Sequence, residues 1–256
     1  MSRRSGLERV FVPSLEAGVL LEIVIARPAG KGPFPTMIFH HGSTGRGQNP
    51  AMFRRSISPA VIAGHLAGLG WMTLFPQRRG RGRSGGAYGE GLAADGSGYS
   101  CEAGVALAGF ERAVEDLDAV LGALPLLPDA DRGRLVVGGV SRGGILAIAH
   151  AGMRPGVYGG AVNFNGGWLG QACPAHVAVN PPLFARGGAA GIPTLWLHGR
   201  NDPYYSIGHC RANFDGFRAA GGQGVFVSAP AGHALLFKPA LWAQHLDRYL
   251  AGLFPG

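Results

Sequence analysis

The chain has 256 residues, 46% of them hydrophobic and 15% charged, with a formal net charge of +8. That composition buries a sizeable core and excludes a disordered or fibrous chain. The basicity comes from 21 arginines against 2 lysines in a chain with 45 glycines, a compositional bias that is weak evidence for an anionic partner.

In chain order, residues 19–25 (VLLEIVI) and 36–40 (TMIFH) read as strands, 59–69 as a helix and 71–75 (WMTLF) as a strand. A long amphipathic helix is expected over 101–124, a strand over 135–140 (LVVGGV), a helix over 142–152 and a strand over 161–164 (AVNF). The strand 193–198 (PTLWLH), helix 209–219, strand 225–229 (VFVSA) and helix 239–253 complete the series. Apolar runs alternating with helical periodicity predict an open, mostly parallel α/β sheet with helices on both faces, as a single domain over 1–256. Residues 77–100 and 166–191 lack regular pattern and are expected to be functional loops at the carboxyl ends of the strands, where open α/β sheets bind ligands.

No secretory signal follows the polar stretch 1–9, and no apolar run reaches the ~18 residues of a membrane span. Cys101, Cys173 and Cys210 leave at least one thiol unpaired and match no zinc or redox spacing. A soluble, cytoplasmic protein is the expectation, with oligomeric state open.

Gly139-Val140-Ser141-Arg142-Gly143 matches G-x-S-x-G between an expected strand and an expected helix. Such a turn strains the central residue and projects its side chain outward, with small residues needed at either side. A serine hydroxyl needs a base, and the base an orienting acid. Downstream of Ser141 the only carboxylates are Asp202, Asp215 and Asp247. Asp202 alone sits in a turn (HGRNDP) at a strand's carboxyl end. Of the histidines at 150, 176, 198, 209, 233 and 245, only His233 both follows Asp202 and lies in a turn after the last strand (APAGHALLF). The turn His40-His41-Gly42-Ser43-Thr44-Gly45 offers a backbone amide, at Ser43, to pair with that of Arg142 as an oxyanion hole.

The ordered segments FHHGSTG, RRGRGRSGG, GGVSRGG, LWLHGRNDPYY and APAGHALLF resemble the α/β-hydrolase superfamily, most nearly its dienelactone hydrolase and prolyl-oligopeptidase-like branch. Dienelactone hydrolases proper carry cysteine where this chain has Ser141, and the propeller of the oligopeptidases has no counterpart of sufficient length here. The resemblance implies an α/β-hydrolase fold without a large cap domain, and a serine hydrolase using Ser141, His233 and Asp202. It also makes the arginine-glycine stretch 78–85 a loop beside the active-site mouth, with Arg79 structural, rather than a nucleic-acid tract.

The expected substrate is a small ester with a short acyl or aromatic group. Amide, thioester or lactone cleavage stands as the alternative, and a non-enzymatic binding protein as the remotest. No metal or cofactor is required, and no nucleic-acid or membrane partner is expected. His41, Tyr88, Tyr99, Trp168, Phe184, Tyr204 and Tyr205 are candidates for lining the pocket.

Overall fold

The computed structural model describes residues 7–254. Its strands are β1 (Glu8–Pro13), β2 (Leu20–Ala26), β3 (Phe34–His40), β4 (Met72–Pro76), β5 (Ala130–Val140), β6 (Gly160–Phe164), β7 (Pro193–Gly199) and β8 (Gln223–Ala229). They form one eight-stranded sheet in the order β1-β2-β4-β3-β5-β6-β7-β8. β2 runs antiparallel to both its neighbours, and from β4 to β8 every pairing is parallel.

The helices are α1 (Pro50–Phe53), α2 (Ala60–Gly68), α3 (Ala103–Ala123), α4 (Arg142–Met153), α5 (His176–Ala185), α6 (Ile207–Ala219) and α7 (Ala243–Leu253). β4 and β6 are buried along their whole length because both faces are covered, and the strand period of two deals alternate residues to two cores. Ile38, Val137 and Trp196 face one core with α3, α4, α5 and α6. Their neighbours Met37, Phe39, Val136, Leu195 and Leu197 face the other, with α2 and α7.

Three features depart from the sequence expectation. β1 (ERVFVP) pairs at the sheet edge with only Val12 buried, so its apolar signal is weak. The stretch 166–191 contains α5 despite Pro181 and Pro182, which a propensity reading takes as helix breakers. Val179, Asn180, Leu183 and Phe184 are buried along it, and this packing overrides the local preference. Trp242, at φ −136°, divides the expected last helix into a short 3₁₀ turn (Pro239–Leu241) and α7.

Residues 77–100 hold no helix and only an isolated bridge between Leu92 and Tyr99. Polar contacts order this loop instead. The Arg79 guanidinium reaches Asp116 (2.6 Å), Glu115 (2.7 Å) and Glu16 (3.1 Å), and its amide donates to Asp116 (2.8 Å). Buried Glu22 accepts from the Arg83 amide (2.7 Å) and donates its own amide to Ser84 Oγ (2.8 Å). Gly80 sits at φ +72°, and a side chain there would strike the backbone of Tyr88. The arginine-glycine stretch is thus folded onto α3 and β2. Among the described residues, no helix is long and apolar enough to cross a membrane.

Candidate active site

The carboxyl ends of β3, β5, β6, β7 and β8 converge on Ser141. It lies between β5 and α4 at φ 57°, ψ −123°, one of two non-glycine residues with positive φ among those described. Such a conformation costs on the order of 1–3 kcal/mol and persists only where the surroundings impose it. A Cβ on Gly139 would strike the backbone of Gly143, and one on Gly143 the carbonyl of His40. The Ser141 amide donates to the Phe164 carbonyl (2.9 Å), and the Ser141 carbonyl accepts from Gly144 (2.9 Å).

His233 begins the 3₁₀ turn His233–Phe237 after β8, and Asp202 lies in the turn after β7. His233 Nδ1 and Asp202 Oδ2 are 2.7 Å apart. The other carboxylate oxygen of Asp202 accepts from the amides of Tyr204 (2.8 Å) and Tyr205 (3.3 Å). These bonds fix the carboxylate, which fixes the ring and leaves Nε2 as its free nitrogen. The Tyr205 ring lies 5.7 Å from that of His233, and its hydroxyl, beside the Ser141 side chain, donates to the Gly167 carbonyl (2.7 Å). Burial pushes the Tyr205 phenol well up, so it stays protonated.

Across the site, the turn after β3 packs on the serine. A Cβ on Gly42 would come within 2.8 Å of Ser141 Cβ, so only glycine allows this approach. Ser43 follows in that turn. Arg142 opens α4, where the first amides have no partner within the helix and carry the positive end of its dipole.

No family model matches the sequence, and no curated protein matches it. Solved structures do. The esterase Pf2001 of Pyrococcus furiosus superposes with a TM-score of 0.65 at 16% identity, over 96% of this chain and 90% of the esterase. Est1E from Butyrivibrio proteoclasticus gives 0.62 at 14% identity, over 95% of this chain and 99% of its own. The acylaminoacyl peptidase of Pyrococcus horikoshii gives 0.63 at 16% identity over 95% of this chain, but this chain spans only 40% of that longer protein.

The chain has the α/β-hydrolase fold. Only α5 and the 3₁₀ turn Arg186–Ala190 lie between β6 and β7 of this hydrolase fold, and no large cap is present among the described residues.

The candidate pocket residues divide into three groups. Tyr204 stands at the rim, 56% exposed, with its ring edge-on to His233 at 4.8 Å. Tyr88 and Tyr99 are half-buried and His41 is buried, the three tied into one polar cluster. The two tyrosine hydroxyls share a hydrogen bond (2.7 Å), Tyr99 accepts from the Thr44 amide (3.1 Å), and the buried His41 gives its carbonyl to Arg78 (3.1 Å). Two expectations are corrected. Phe184 is fully buried in the core, its ring 4.7 Å from Trp196. Trp168 is buried too, held by its Nε1 on the Ala106 carbonyl (2.7 Å), and lies over the Arg142 guanidinium rather than facing a ligand. Both are large apolar side chains in the segment between β6 and β7, where such residues serve core and pocket equally.

The charge inside this cluster is not legible in the sequence. Glu90 is buried against Arg78 and accepts from the Tyr88 hydroxyl (3.0 Å). Burial raises its carboxyl pKa, but Arg78, then Arg142 and Arg81, outweigh that and hold it below the ordinary range. Arg142 is stacked between the rings of Tyr99 (3.9 Å) and Trp168 (4.4 Å) and donates to the carbonyls of Glu90 (2.6 Å) and Trp168 (3.1 Å). Arg81 is fully buried over Phe53 and Tyr88, each 5.5 Å away, and its guanidinium makes no hydrogen bond among the described residues.

Cys101 and Cys173 form a disulfide, and Cys210 is free and buried. The bridge joins the start of α3 to the loop before α5. Disulfides persist in oxidising surroundings and are rare in a reducing cytosol, so this pair sits poorly with the cytoplasmic expectation. It closes a span of 72 residues, for which loop-closure entropy gives about 4 kcal/mol. Cys101→Ser is expected to lower Tm by on the order of 10 °C, measured by calorimetry, with dithiothreitol doing the same to wild type. An unchanged Tm would show that the bridge carries no stability.

Proposed function

We propose that this protein is a serine hydrolase acting on carboxylic esters, with Ser141 as nucleophile, His233 as general base and Asp202 as its orienting acid. The observation that carries this reading is the strained elbow at Ser141 beside the His233–Asp202 pair. In this reading Ser141 Oγ attacks the ester carbonyl while His233 Nε2 takes its proton. The amides of Ser43 and Arg142 receive the developing oxyanion, each contributing about 3 kcal/mol. The tetrahedral adduct collapses, and His233 returns the proton to the departing alkoxide. Water, deprotonated by His233, then attacks the acyl-enzyme and releases the acid. Asp202 keeps the imidazole in the tautomer with Nδ1–H and stabilises the imidazolium.

The substrate proposed is small, with a short acyl or aromatic group. A long acyl chain gains ~0.8 kcal/mol per methylene only where an apolar tunnel buries it, and the side chain next to Ser141, Arg142, is charged and packs on Tyr99. Arg81, whose buried guanidinium makes no hydrogen bond among the described residues, adds to Arg78 a positive field at His41, which further supports esters bearing a carboxylate. The likeness to an acylaminoacyl peptidase keeps amide cleavage as the second reading.

The test compares kcat/KM for p-nitrophenyl acetate, butyrate, octanoate and palmitate, for a hemisuccinate ester beside its neutral methyl ester, and for a peptide anilide. Acetate or butyrate is expected to be best, the hemisuccinate to exceed its methyl ester, and Arg81→Met to remove that preference. An optimum at octanoate or longer would refute the short-acyl reading. Efficient anilide cleavage with poor esters would refute the reaction class.

A further inference from the structure

We infer that Asn165 is a positioning residue that sets the nucleophile, acid and base turns in register, an inference that rests on the reading of Ser141, Asp202 and His233 given above. Asn165 directly follows β6, is fully buried and, with Ser141, is the other non-glycine residue at positive φ, at 46°. Its side-chain nitrogen donates to the carbonyls of Gly232 (3.1 Å) and His233 (3.0 Å), one hydrogen to the peptide that enters the histidine and one to the peptide that leaves it. Its side-chain oxygen accepts from the Gly199 amide (2.8 Å), at the end of β7 three residues before Asp202. Its own amide donates to Leu197 (2.9 Å) in the same strand.

The residues around it hold the third member. Phe164 accepts from the Ser141 amide (2.9 Å), and Gly167 donates to the Ser141 carbonyl (3.3 Å). Gly167 also accepts from Tyr205 (2.7 Å), in the acid's turn. Phe164, Asn165 and Gly167 therefore hydrogen-bond to the serine, the strand and turn of the acid, and the turn of the base.

The position suits asparagine chemically. It is the common non-glycine residue in the left-handed region, and its amide supplies two donors and an acceptor together. Aspartate keeps the shape but has no donors, and its carboxylate oxygen would face two carbonyl oxygens. Glycine keeps the backbone but loses every side-chain bond.

The experiment uses Asn165→Gly and Asn165→Asp, with Leu250→Ala on α7 as a destabilised control away from the site. Three readouts apply: kcat and KM on p-nitrophenyl acetate, the rate of fluorophosphonate labelling, and the downfield proton resonance of the His233–Asp202 hydrogen bond. Both Asn165 variants are expected to lose ~10–100-fold in kcat and in labelling rate, the scale on which small misplacements act, with KM within about twofold. The downfield resonance should broaden or vanish, more in Asn165→Asp. Leu250→Ala should lower Tm and leave kcat and the resonance in place.

Wild-type kcat and an unchanged resonance in Asn165→Gly would overturn the inference, as would equal losses in Leu250→Ala. Should Asn165→Gly not fold, Asn165→Asp, which retains the side-chain volume, carries the same readouts. The resonance reports the histidine–aspartate geometry whether or not Ser141 is the nucleophile, so a failure of the enzymatic reading stays distinct.

Discussion

Ser141→Ala is expected to reduce ester turnover by about 10⁶-fold, the scale on which removal of a triad nucleophile acts, and to abolish labelling by a fluorophosphonate. The reasoning is geometric. Ser141 is held at φ 57° by collisions that any side chain at Gly139 or Gly143 would incur, and by its amide's bond to Phe164. Alanine keeps the Cβ, meets the same backbone constraints and adds no volume, so the variant should fold with a Tm close to wild type. Whatever rate survives is what the oxyanion donors and substrate binding supply alone, ~10³–10⁴ over water. A variant that labels as wild type does would move the nucleophile elsewhere. A variant that fails to fold would show that the Oγ has a structural partner.

The parts of the fold legible in the sequence are those where one physical cause acts alone. β3, β6 and β7 are short and largely buried on both faces, and each stands within two residues of where the periodicity puts it, whereas β5 begins at Ala130, ahead of the apolar run 135–140 and through exposed polar residues. The elbow was legible because steric crowding writes itself as glycine at 139 and 143. Chain order singles out Asp202 and His233, and the fold sets their side chains 2.7 Å apart. Phe184 and Trp168 were not separable from pocket residues, because burial on α5 or against Arg142 depends on distant contacts.

The Cys101–Cys173 pairing was equally silent, since with three cysteines spacing does not select a partner. Asn165 leaves only a local trace in the sequence. An asparagine followed by Gly166-Gly167 at a strand end marks a left-handed turn, but the bonds to Gly199, Gly232 and His233 that make it consequential come from residues 34 to 68 positions away. The ion pairs of Arg78 and Arg79 reverse the surface reading of that stretch. In sequence these charges look outward; in the fold they are spent on Glu90, Asp116 and Glu115.

The second large effect concerns pH and the base. Turnover is expected to fall as the pH is lowered, and His233→Ala is expected to remove it at every pH, whereas His209→Ala is expected to leave it largely intact. The base must be neutral to accept the serine proton. Protonating it therefore removes activity, and raising the pH restores it. The competing histidines are set apart by their surroundings. Burial holds His198 down at about 3, and burial with the neighbouring His176 holds His209 at about 4. Burial, with Arg78 nearby, holds His40 and His41 well below the ordinary value. All four are already neutral where an ordinary imidazole titrates, so none of them supplies a limb there.

The same shifts act on stability with a stated sign. A histidine whose folded pKa lies below its unfolded value contributes stability that is fully present above the unfolded pKa. That contribution is lost as the pH falls toward the folded one. For His198 the window runs from about 6.5 down to about 3. Tm should therefore decline through that range, and initial rates must be taken before unfolding sets in. Asp202→Asn is expected to cost about 10⁴-fold in kcat, through the wrong imidazole tautomer. The measurement is kcat/KM for p-nitrophenyl acetate from pH 4.5 to 9 in wild type and the three variants, with circular dichroism at each pH. An acid limb that persists in His233→Ala, or turnover lost in His209→Ala with the fold intact, would transfer the base to α6 and undo the assignment.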